Sequence, residues 1–107
     1  MSKTWKDVER AVAGRLRGQR VSNRAPGEAG PDVVTTAFAV EVKHRKKLPQ
    51  WIEEAMLQAE SNCPSGLLPL LVLHESGRHH EADLVILRLG DFQEWFGEVK
   101  NDPRGEK

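Results

Sequence analysis

The chain predicts a mixed α/β sandwich, in which sheet strands are flanked by helices and a helix crosses between strands. Three observations carry that expectation. Residues 38–44 alternate apolar and polar side chains at the period of a strand, and residues 4–17 and 49–62 space apolar side chains at the period of a helix. Two largely apolar runs, 67–74 and 82–87, follow the second helical pattern and read as covered strands.

Taken in order, Trp5, Val8, Val12 and Leu16 form the stripe of a first helix, with Thr4 or Ser2 as its cap and Gly18 as its stop. Glu9 lies one residue from the centre of that stripe, about 100° around the helix, and leans over the edge of the buried face. Residues 19–31 read as an irregular connection, broken by Pro26, Gly27, Gly30 and Pro31, with Arg15, Arg17, Arg20 and Arg24 at or near its start. Val33 to Ala37 is β-branched and reads as a strand, and Phe38 to His44 as its hairpin partner. Pro49 opens a second helix whose apolar face is Trp51, Ile52, Ala55, Met56 and Ala59, with Glu53, Glu54 and Glu60 outward and Gln58 near the face turned to the sheet. After the strands 67–74 and 82–87, Asp91 caps a short last helix, Phe92 to Phe96, with Trp95 and Phe96 packing back. The run Leu67–Leu73 and the Trp95-Phe96 pair read first as core and second as an interface. Residues 1–97 form one domain, and 98–107 a loose charged tail.

The chemistry concentrates in the hairpin. With Phe38, Val40 and Val42 on one face, Glu41 and Lys43 share the other. A reversal centred between Thr36 and Ala37 pairs residues whose numbers sum to 73, which sets Asp32 opposite Glu41. Like charges at about 5 Å across a ladder are unfavourable unless a cation lies between them, and Mg²⁺ with oxygen ligands is the first candidate.

Bulk properties narrow the classes. Among 107 residues the net charge is zero, but residues 1–50 hold 11 Lys/Arg against 5 Asp/Glu and residues 51–107 hold 5 against 11. A basic half around a small acidic cluster suits a polyanionic substrate reached through metal ions. The single cysteine, Cys63, rules out an internal disulfide and points to a reducing compartment. No signal peptide is visible, and the longest apolar stretch is too short to span a bilayer, so a cytoplasmic protein is expected. His74, His79 and His80 with Cys63 match no zinc-finger spacing and read as solvated side chains.

Pro31-Asp32, then Glu41-Val42-Lys43, with Glu9 on the first helix, resembles the pattern of the PD-(D/E)XK nuclease superfamily. Within it, Glu9-Arg10, Arg24 and the stretch Leu48–Glu60 are similar to small Holliday junction resolvases of archaeal and phage type. The resemblance implies a restriction-endonuclease-like mixed β-sheet flanked by helices, with an α-β-β-β-α-β core. It implies a metal-dependent endodeoxyribonuclease making paired nicks in four-way DNA junctions. Asp32, Glu41 and the Val42 carbonyl would hold Mg²⁺, or Mn²⁺ in its place, with Glu9 joining directly or through water. Lys43 would orient water or stabilise the developing oxyanion. Arg10, Arg24, Arg45, Lys46 and Lys47 would meet phosphates, and Gln58 and Ser22 would support the site. A homodimer acting on branched double-stranded DNA follows, with no membrane and no nucleotide cofactor. The alternatives are a flap, branched-DNA or nicking nuclease of the same superfamily, and a DNA-binding protein without catalysis.

Overall fold

The computed structural model describes residues 4–21 and 27–97; the expectations at Ser2, Ser22, Arg24 and the tail 98–107 lie outside the described residues. Among the described residues the architecture is mixed α/β, with three helices and two small antiparallel sheets. Two compact units share the chain: one runs up to Arg45 and resumes at Gln93, and the other is Lys46–Phe92.

In the first unit, helix α1 spans Trp5–Arg15. Thr4 Oγ1 accepts the Asp7 amide at 3.2 Å, and Asp7 Oδ2 accepts the Thr4 amide at 3.2 Å, a reciprocal capping box that satisfies two orphan donors. The buried face is Glu9, Ala13 and Leu16. This corrects the expected stripe: Trp5 is 57% exposed and Val8 and Val12 are half-buried, so the helix is rotated to bring Glu9 inward. Arg17 takes φ 55, and Gly18 follows it against the sheet. A Cβ at Gly18 would collide with the Val34 carbonyl oxygen and lie 2.7 Å from Thr35 Cγ2. Gly18→Ala is therefore expected to lower stability by about 1–3 kcal/mol, measured as an earlier urea midpoint at unchanged slope.

Strand β1, Gln19–Arg20, falls in the stretch expected to be irregular. It pairs with β2, Val33–Val34, which pairs with β3, Ala39–Val40, giving an antiparallel sheet in the order β1-β2-β3. Val33, central in that sheet, is fully buried. The β2–β3 register pairs Val33 with Val40 and Val34 with Ala39, as the reversal centre predicts. Both strands are shorter than expected because residues 35–38 form the turn. No glycine closes it. Thr35 Oγ1 accepts the amides of Ala37 and Phe38 at 3.0 and 2.9 Å, replacing the usual glycine chemistry with a side-chain acceptor.

In the second unit, α2 spans Gln50–Ser61 and buries Met56, with Ile52, Ala55 and Ala59 half-buried. Trp51, expected on that face, is 57% exposed. Glu53 and Glu60, expected to be outward, both hold Arg88. The Arg88 Nε donates to Glu60 Oε2 at 2.9 Å, and Nη2 donates to Glu53 Oε1 at 3.2 Å. Seven residues is close to two helical turns, which puts both acids on one stripe. Strand β4, Leu71–Leu73, pairs with β5, Leu84–Ile86. The expectation that both are covered strands is corrected: Val72, Leu84 and Val85 are exposed. A three-residue 3-10 turn, His80–Ala82, precedes β5. Helix α3, Leu89–Phe92, begins before the expected Asp91 cap, so Asp91 lies inside it. Gln93–Gly97 forms a π-helical turn in the first unit, on which Trp95 and Phe96 are exposed instead of packing back.

Candidate active site

Asp32 is the best-fixed residue of the predicted set. It follows Pro31 at the mouth of β2, the central strand, and its backbone is held on both sides. The Val21 amide donates to the Asp32 carbonyl at 2.9 Å, and the Asp32 amide donates to the Val40 carbonyl at 2.9 Å. Since Val33 is already paired with Val40, Asp32 and Val33 share one opposing residue, as in a bulge. The expectation that Asp32 stands directly opposite Glu41 is thereby corrected. Two carboxylates facing each other across a ladder repel, and the bulge aims Asp32 past Glu41 at the next peptide. Its Oδ2 accepts the Val42 amide at 2.8 Å.

Glu41 and Lys43 share one face as the strand period requires, and their side chains meet, Lys43 Nζ lying 3.2 Å from Glu41 Oε2. Both are exposed, and Phe38, Val40 and Val42 on the opposite face are half-buried. Residues 41–45 follow β3 outside its ladder.

Glu9 is buried and its charge is matched. Arg20 Nε lies 2.7 Å from Glu9 Oε1, and the Arg20 guanidinium sits 5.6 Å from the centre of the Trp5 ring. This pair joins α1 to β1 under a cation–π cover. Glu9, which the resemblance has joining the metal directly or through water, answers to Arg20 in this arrangement. Arg20 is the residue that sequence reasoning missed. No spacing in the sequence signals it; the β1 pairing of Arg20 with Val33 is what places it beside Asp32.

The remaining expectations divide between the units. Arg10 is exposed and donates to Asp7 Oδ1 at 3.1 Å, and Arg45 is exposed and donates to the His44 carbonyl at 3.0 Å. Lys46, Lys47 and Gln58 are exposed residues of the second unit.

The donor set fits Mg²⁺ in kind. Asp32, Glu41 and the Val42 carbonyl are all hard oxygens, and Asp32 touches the Val42 peptide. In spacing, Glu9, Asp32 and Glu41 are not gathered, since among the described residues three ligating groups come within 4.8 Å of one another at His74, His80 and Asp83 instead. Glu41 is turned to Lys43 and Glu9 to Arg20. No helix of the described residues is long and apolar enough to cross a membrane. Compared with protein-family models, with curated proteins and with solved structures, the chain finds no match in any of the three.

Proposed function

We propose that the protein is a Mg²⁺-dependent, structure-selective DNA endonuclease of the PD-(D/E)XK type, with a restriction-endonuclease-like core, acting on four-way junctions. The single observation carrying this reading is the contact of Asp32 with the Val42 amide, which joins the Pro-Asp element to the Glu-Val-Lys element on one sheet. The chain order, a helix, three strands, a second helix and then two strands, begins as that core would, with β4 and β5 paired in a sheet of their own. Asp32, Glu41 and the Val42 carbonyl would hold the ion, which supplies a water of lowered pKa and neutralises phosphate charge. Lys43, one strand repeat from Glu41, orients the incoming water and stabilises charge on the phosphate oxygens. Arg10 and Arg45 meet the backbone and carry no base information, which suits recognition by shape. Paired cuts require two such sites related by a two-fold axis, so the working form is a homodimer. The exposed Val72, Leu84 and Val85 give such a dimer apolar surface to cover.

A second reading has its own observation. With Glu9 on Arg20 and Glu41 on Lys43, both ion pairs are complete without a metal, which favours a DNA-binding protein that does no hydrolysis. One assay separates the two. The protein incubated with a four-way junction and a matched linear duplex, with Mg²⁺ or with EDTA, is expected to make paired nicks in the junction with Mg²⁺ alone. Junction binding without any nick in Mg²⁺ selects the second reading, and cutting in EDTA overturns the metal chemistry. Cutting of flaps in preference to junctions moves the substrate to the flap nucleases.

A further inference from the structure

The second unit carries a cluster with different donor chemistry. Strand β4 pairs Leu73 with Leu84, and one step beyond the ladder that register sets His74 opposite Asp83. Gly77, at φ 88, turns the chain back within the intervening loop. His80 opens the 3-10 turn and Asp83 closes it, and side chains three apart eclipse one another at that pitch. Two local rules thus aim both imidazoles at one carboxylate. His74 Nδ1 lies 2.7 Å from Asp83 Oδ1, His80 Nδ1 lies 3.1 Å from Asp83 Oδ2, and the two rings stack at 4.3 Å. Asp83 is 13% exposed in its side chain and His80 is 83% exposed.

We infer that His74, His80 and Asp83 form a binding site for a divalent transition-metal ion, zinc foremost. Two imidazole nitrogens are borderline donors that zinc takes and that Mg²⁺ does not seek, and zinc accepts a carboxylate oxygen beside them. Zinc binds such atoms at about 2.0–2.2 Å, which spaces tetrahedral ligands roughly 3.3–3.5 Å apart. The His74–Asp83 and His80–Asp83 separations, 2.7 and 3.1 Å, are shorter than that, and His80, the most exposed of the three, has room to swing outward. A cavity of about 270 Å³ opens on His74 and Asp83 with Glu75 and Arg78 on its wall, leaving space for water or a fourth ligand. The ion would tie the end of β4 to the start of β5. A two-stranded ladder is marginal by itself, so this tie stabilises the ribbon.

The test titrates the protein with zinc chloride against a chelating indicator, with excess Mg²⁺ present. One equivalent is expected to bind, and to raise the melting temperature of the unmodified protein. His80→Ala is expected to weaken zinc by about ten-fold or more and to abolish the melting shift, and its exposure keeps folding out of question. Asp83→Asn is expected to do the same, with His79→Ala unchanged. The inference is overturned by zinc binding that survives His80→Ala undiminished, by loss of binding in Cys63→Ser instead, or by absence of a one-equivalent phase. Because Mg²⁺ is in excess throughout, the outcome does not depend on the nuclease reading.

Discussion

Asp32→Asn is expected to reduce Mg²⁺-dependent junction cleavage by about a thousandfold while leaving junction affinity in EDTA unchanged. The substitution is close to isosteric. An asparagine oxygen still accepts the Val42 amide now held at 2.8 Å, and the strand-edge bonds of residue 32 to Val21 and Val40 are backbone bonds that no side chain alters. What is removed is one negative charge, and with it a ligand for the cation. Lys43→Ala should fall less, by roughly a hundredfold, since it withdraws charge stabilisation and leaves the ion's ligands in place. Single-turnover rates on a labelled junction, with affinity measured separately, decide the matter. Undiminished cleavage by the asparagine variant leaves Asp32 as a structural cap and returns the chain to the class of binding proteins.

Arg20→Ala is expected to be the most damaging single change to stability. It strands the Glu9 carboxylate, buried on α1, with no counter-charge. Removing one partner of a buried pair costs about 3–5 kcal/mol, a drop in Tm of more than about 12 °C for a domain of this size. Replacing the pair together, Glu9→Leu with Arg20→Met, should restore most of the loss, because two well-packed apolar groups need no charge matching. Thermal melts of the single and double variants form the cycle. A single variant melting within a degree or two of the parent would mean that water reaches the carboxylate and that the pair is a surface contact.

The parts of the fold legible in the sequence are those set by short-range rules. The alternation of Phe38, Val40 and Val42 fixed a face, and the reversal centre gave the Val33–Val40 register, although the turn is closed by a threonine hydroxyl that no dipeptide rule names. The departures have identifiable causes. Strand β1 is two residues long, too short to leave a period, so the sequence places Arg20 in a basic loop and shows Glu9 no partner. The apolar spacing of α1 runs its stripe through Trp5, yet an ion pair turns the helix toward Glu9 and leaves the indole to cover Arg20. The apolar runs 71–73 and 84–86 do form strands, but hydrophobicity alone does not report whether anything covers them. The meeting of His74 with Asp83 needs the β4–β5 register, which is a property of the paired chain and of neither run alone.

The Arg88 fork has a bearing on handling the protein in alkali. Its hydrogen bonds to Glu60 and then to Glu53 hold the guanidinium charged far above its already high ordinary value. A cation whose folded proton affinity exceeds its unfolded one lends stability that is complete below the unfolded value and fades only as the medium passes through the folded one. Both lie beyond any common buffer, so the clasp between α2 and Arg88, two residues beyond β5, keeps its strength through high-pH purification, where a lysine at the same place would begin to discharge.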